Sequence, residues 1–138
     1  MAVFVYTNAK VTLNGTANDI SSSVRQVMLD INAAEVDKTN FGSGGWTELV
    51  GGLKNGSVQI DFNDDVAAAA IDSTIWSLFG GTAAITIRPG GTAAIGTSNP
   101  DYQGTVLVNQ TTTGGAVGDL ATKSVTWPTT GAISRATA

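Results

Sequence analysis

Strict alternation of apolar and polar residues is the feature that most constrains this chain. In "SVRQVMLDIN" (23–32), Arg25, Val27, Leu29 and Ile31 take one face, and Gln26, Met28, Asp30 and Asn32 take the other. In "SVQIDFN" (57–63), Val58, Ile60 and Phe62 face one way, and Ser57, Gln59, Asp61 and Asn63 face the other. A period of two sends successive side chains to opposite faces of a strand, so each stretch predicts a strand with one buried and one wetted face. Other segments read similarly. "VFVY" (3–6) is short and β-prone, and "KVTLNG" runs into Asn14 and Gly15, a two-residue hairpin signal. "AAITIRPGG" (83–91) ends in a Pro-Gly turn, and "YQGTVLVNQTTT" (102–113) reads as a long strand with Gly104 at a bulge. "LATKSVTWP" (120–128) puts Lys123, Val125 and Trp127 on one face, and Pro128 should end it because proline brings no N–H to a ladder. "GAISRATA" reads as a short closing strand and tail.

One segment breaks the pattern. "DDVAAAAIDSTIWSLFGG" (64–81) is rich in alanine, and Ala68, Ile71, Ile75 and Leu78 recur at helical spacing. Asp64 or Asp65 would cap its start, and Gly80 or Gly81 its end. The expectation is a mainly β (α+β) chain with one amphipathic helix, about 64–80, packed on a sheet. A repeated "GGTAAI" (80–85 and 90–95) is too closely spaced for a solenoid and receives no function.

A length of 138 residues suits one domain spanning 1–138. Charged residues make up 13% of the chain, against about 25% in an ordinary soluble domain. The polar surface rests instead on Ser, Asn, Gln and 19 Thr. Low charge weakens the solubility of a monomer, and burying much of the surface in an assembly removes that difficulty. The net charge of −4, with seven scattered Lys and Arg, argues against a grip on nucleic acid. There is no cysteine for disulfides or thiolate chemistry. "MAVFVYTNAK" lacks the basic region of a signal peptide. The longest apolar run, "VAAAAI" (66–71), is far short of the about 20 residues of a membrane span, so no membrane insertion is expected.

Chemistry is scarce. With no His and no Cys, most acid–base, nucleophilic and metal-ligating groups are missing. "DFNDD" (61–65) lacks the EF-hand pattern, and capping is the favoured role of Asp64 and Asp65. No spacing singles out a glycosidase pair of carboxylates. No catalytic residue, cofactor or metal is expected.

"TNFGSGGWTELVGG" (39–52) holds five glycines, Gly42, Gly44, Gly45, Gly51 and Gly52, and suggests a phosphate cradle. Thr47 stands where G-x-G-x-x-G needs its last glycine, no Gly-Lys-Ser/Thr occurs, and a strand follows instead of a helix. Two readings remain for this Gly-rich loop, about 37–52. It is a mobile hairpin loop, or it is an arm whose Phe41, Trp46 and Leu49 are buried by a partner that orders it.

Three phrases, "VTLNGTANDISSSVRQV", "WTELVGGLKNGSVQIDFNDD" and "VTWPTTG", stand in an order that resembles the major tail tube proteins of long, non-contractile-tailed bacteriophages. The likeness spans nearly the whole chain. It implies a β-sandwich or partly rolled barrel with a flanking helix. It also implies a structural virion protein, made in the bacterial host cytoplasm, whose hexameric rings stack into a conduit for the genome. Partners implied are the protein itself, a tape measure inside the tube, a tail terminator and a distal tail protein, with DNA passing through unbound. The long loop would reach a neighbouring subunit through Phe41, Gly42, Gly44, Gly45, Trp46 and Leu49.

With about four strands per subunit, six subunits would make a barrel of roughly 24 strands and 45–50 Å. A conduit must not hold its cargo, so its wall should lack cations. The polar faces Gln26, Asp30, Asn32 and Ser57, Gln59, Asp61, Asn63 fit a lumen; the bland alternative is a solvated sheet surface. Related contractile tails and the type VI secretion system supply the nearest alternative identity. A carbohydrate-binding sandwich using Trp46, Trp76 and Trp127 is more distant, because Trp76 and Trp127 look like core residues.

Overall fold

The computed structural model describes residues 6, 8–14, 19–64, 71–91 and 94–137. The elements are β1 (Lys10–Leu13), β2 (Val24–Asp37), β3 (Leu49–Asn63), α1 (Ile71–Leu78), β4 (Thr82–Arg88), β5 (Asp101–Leu107) and β6 (Thr122–Ala136). The six strands form one antiparallel sheet in the order β1-β4-β5-β6-β3-β2. Among the described residues the chain is therefore mainly β, as the alternation requires, with one flanking helix.

Strand β6 joins the two halves of the sheet. Its first part pairs with β3, from Asn63↔Thr122 to Ser57↔Pro128. Its second part pairs with β5, from Val106↔Thr129 to Asp101↔Ala136. Pro128 does not end the strand, contrary to the sequence expectation. It lies where β6 exchanges one partner for the other, a place where proline's missing N–H does least harm to a ladder. A register shift follows at Gly104, as expected, with residues 131–133 of β6 opposite it. Gly131 takes φ 83, a left-handed conformation that costs glycine little and bends the strand here.

The alternating faces close on one core. Val58, Ile60 and Phe62 of β3 and Val125 and Trp127 of β6 are buried, with Val27 and Leu29 of β2 packed partly against them. Val11, Leu13, Ile85, Ile87 and Val106 from the β1–β4–β5 side join the same cluster. Ile71 and Ile75 of α1 are buried in it, and Leu78 packs against it. Gly80, at φ 88, turns the chain after α1. Gly80 N donates to the Val108 carbonyl at 2.7 Å, and Val108 N to that of Gly81 at 2.9 Å. Residues 65–70, with Asp65 and Ala68, lie outside the described residues, as do positions 3–5 and Gly15.

Two further expectations are corrected. Trp76 is not a core residue: it is 72% exposed and stacks on Phe79 at 6.3 Å between ring centroids. One residue past Ile75, it points away from the Ile71–Ile75–Leu78 face. The strand expected at 102–113 ends at Leu107. Beyond it the chain still follows β6, held by side chains: Gln110 Oε1 accepts from Thr126 N at 3.0 Å, and Thr112 Oγ1 donates to the Ser124 carbonyl at 3.4 Å.

The β4–β5 end carries a bidentate ion pair. Arg88 Nε lies 2.5 Å from Asp101 Oδ1 and Nη2 lies 2.9 Å from Oδ2. The hydrogen bond from Arg88 holds the Asp101 carboxyl below its ordinary 3.8, against an opposing push from burial. A depressed carboxyl contributes stability above its unfolded value and loses it as pH falls through its folded value. Arg88→Ala is therefore expected to lower the urea midpoint near neutral pH, with the gap to wild type closing well below pH 3.8. A gap that stays constant between these conditions would rule out the pair as its source.

Candidate assembly surface

The β2–β3 hairpin is longer than the sheet that carries it. Beyond Ser57 the pairing of β3 with β6 stops, and β2 and β3 continue as a two-stranded ribbon through Asp30↔Ser57 to Asp37↔Leu49. Seven residues at about 3.4 Å each give this ribbon a reach of roughly 24 Å. An isolated two-stranded ribbon is marginal in water. This one is apolar as well: Ile31, Val36, Leu49, Val50 and Leu53 are exposed along it, and Phe41 and Trp46 at its tip.

The connecting loop is 38–48, shorter than the expected 37–52, because Asp37 closes β2 and residues 49–52 belong to β3. Its tip is a hydrogen-bonded turn. Asn40 caps a 3-10 turn at Phe41–Ser43 by accepting from Gly42 N at 2.8 Å, and Ser43 Oγ donates to Glu48 Oε2 at 2.9 Å. Glu48 N donates to Thr39 Oγ1 at 2.8 Å, and Lys38 N to the Glu48 carbonyl at 3.0 Å. Gly44 and Gly45 take φ 66 and 87, reversing the chain where a Cβ would be strained. With its backbone satisfied in this way, the tip leaves Trp46 78% exposed.

The polar face of the same ribbon continues into the body. Gln26 stands opposite Asp61, Asp30 opposite Ser57 and Asn32 opposite Asn55. Across β3, Gln59 meets Thr126, Asp61 meets Ser124 and Asn63 meets Thr122. Pairing thus places all seven polar residues selected from the sequence on one face of β2 and β3, which β6 extends. Asp30 and Asp61 are the charged residues among these pairs, and Ser124 Oγ donates to Asp61 Oδ1 at 2.5 Å. Apolar Met28 interrupts the pattern opposite Gln59.

Among the described residues, the rest of the surface offers a cleft and no cluster of catalytic groups. A cleft of about 890 Å³ lies between Val27, Leu29 and Ile31 of β2 and the turn after β4, with Tyr102 and Arg135 at its wall. The Arg135 guanidinium lies 6.0 Å from the Tyr102 ring centroid. Among the described residues no group of three or more acidic side chains could hold a metal. No described helix is long and apolar enough to cross a membrane. The three tryptophans do not form a sugar platform: Trp127 is buried, Trp46 lies in the loop between β2 and β3, and Trp76 stands on α1.

No protein-family model and no curated protein matches this sequence. Solved structures do. The fold matches a chain from the virion of a native gene transfer agent particle with a TM-score of 0.68 and 19% identity, covering 91% of this chain and 94% of that one. It also matches a chain from the tail of an empty gene transfer agent particle with C6 symmetry, with a TM-score of 0.67, 20% identity and 92% of both chains covered. At this identity the likeness is one of fold. The architecture is that of chains found in gene transfer agent particles.

Proposed function

We infer that this chain is a structural tail protein that polymerises as stacked hexameric rings into a tail tube, a conduit for genome delivery. The fold shared with a chain of a C6-symmetric tail carries this reading. The projecting apolar hairpin supports it, since a ribbon of exposed Ile, Val, Leu, Phe and Trp is marginal in water and gains stability when another surface covers it. Covering the free edge of β2 with a neighbour would also remove an aggregation hazard. On this reading the protein is no enzyme, and it resides in the virion after synthesis in the bacterial host cytoplasm. Its partners are further copies of itself, a tape measure protein in the lumen, a tail terminator and a distal tail protein.

In the tube, Phe41, Gly42, Gly44, Gly45, Trp46 and Leu49 meet a neighbouring subunit. Gln26, Asp30, Asn32, Ser57, Gln59, Asp61 and Asn63 line the lumen. Hydroxyl, amide and carboxylate groups give DNA no cation to bind, so the phosphate backbone slides past. Electron microscopy of the purified protein tests the assembly. Tubes or six-fold rings are expected; a protein that stays monomeric at high concentration refutes the reading.

The lumen has its own test. Asp61 accepts from Ser124, so Asp30 offers the cleaner charge reversal. Asp30→Lys is expected to leave tubes intact while making DNA ejection slower and dependent on salt. Ejection at the wild-type rate in low salt would return this face to an ordinary solvated sheet surface.

A further inference from the structure

Lys123 is the core's odd member. Its side chain is 0% exposed, on the apolar face of β6 between the end of β3, the start of α1 and the 111–113 segment. Nζ donates to Asp72 Oδ1 at 3.0 Å, Thr113 Oγ1 at 3.3 Å and Thr111 Oγ1 at 3.4 Å. These three bonds use all the protons of an ammonium. A second carboxylate is nevertheless close by. Asp64 Oδ2 lies 3.9 Å from Nζ, its side chain is 7% exposed, and its Oδ1 is buried with no hydrogen-bond partner among the described residues. The backbone holds the pair together, since Asp64 N donates to the Ala121 carbonyl at 3.0 Å and Phe62 stands opposite Lys123. Burying a carboxylate oxygen with no donor is costly, and so is burying an ammonium.

We propose that Lys123 and Asp64 condense into an intramolecular isopeptide bond, with Asp72 relaying the proton. Nζ first gives a proton to Asp72 Oδ1, along the bond already present. The freed lone pair attacks Asp64 Cγ, a new N–C bond forms, and a C–O bond breaks. The leaving oxygen departs as water with the proton returned by Asp72 and a second one from Nζ. An ammonium and a carboxylate thus become a neutral amide and one water, with no oxidant or other reactant. The product removes two buried charges together. It also closes the chain between positions 64 and 123 into a covalent loop, restricting the unfolded state as a disulfide does in chains that have cysteine. This chain has none.

This inference stands apart from the assembly reading, and mass spectrometry of the purified, folded full chain tests it. The intact denatured wild type is expected to weigh one water less than its sequence requires, and its digest to contain a branched peptide joining positions 64 and 123. Asp72→Asn, confirmed as folded by circular dichroism, is expected to show the full mass, as is Lys123→Gln. A wild type of full mass after prolonged incubation overturns the proposal. So does a water loss that maps to a succinimide elsewhere, and a cross-linked Asp72→Asn protein overturns the proton relay.

Discussion

Trp46→Ala is expected to give a folded subunit that no longer forms tubes at the concentrations where wild type does. The side chain is 78% exposed at the end of a ribbon, and its loss opens no cavity in the core. The turn that presents it is held by Asn40, Ser43 and Glu48, none of which the substitution touches. The effect should therefore fall on association alone. A buried aromatic anchor at an interface is worth about 2–4 kcal/mol, and every 1.4 kcal/mol is tenfold in affinity, so the critical concentration should rise by roughly 30- to 1000-fold. Phe41→Ala should act in the same direction. Sedimentation and electron microscopy read the assembly, while a thermal melt of the dilute subunit should be unchanged. Wild-type tubes from Trp46→Ala would mean that the tip is an ordinary solvent-facing loop.

The same ribbon shows how far the sequence could be read. Alternation placed Val58, Ile60 and Phe62 in the core and their polar neighbours on the opposite face, because a strand's period of two leaves little choice. It did not show where the ribbon leaves the body, since Leu53 and Val58 look alike in sequence while only Val58 is buried. That boundary is set by β6, which reaches only as far as Ser57. Counting glycines overstated the loop, because Gly51 and Gly52 sit within β3. The proline rule failed at Pro128 because it weighs one missing N–H and not which strand lies alongside.

The polar cluster was the least legible part. Alternation put Lys123 on the apolar face, but nothing local named its partners, and Asp72 lies 51 residues away in sequence. Asp64 had a plausible local role as a helix cap, and that role concealed the tertiary one. Trp76 departs from expectation for a related reason: apolar character suggests burial, although the spacing of Ile71, Ile75 and Leu78 excludes it from their face. Periodicity reports a residue's direction reliably. What meets it there depends on elements far away in the chain.

Trp127 combines both kinds of information, and its truncation should have the largest effect on folding. The ring is fully buried opposite Val58, and its Nε1 donates to the Gln110 carbonyl at 2.9 Å. That bond helps to hold the 108–113 segment beside β6 where backbone pairing has lapsed. Trp127→Ala removes a large packed side chain and should cost about 3–5 kcal/mol. Against a total of about 5–15 kcal/mol for a typical domain, much of the protein would unfold on mild heating. Trp127→Phe retains most of the packing but loses the donor, which adds about 1 kcal/mol for the hydrogen bond to a smaller cavity cost. Urea midpoints should fall in the order wild type, Trp127→Phe, Trp127→Ala, with unchanged slopes. If Trp127→Ala cost less than about 1 kcal/mol, β6 would not be packed against β3 as described, and the rigid base from which the β2–β3 hairpin projects would be lost with it.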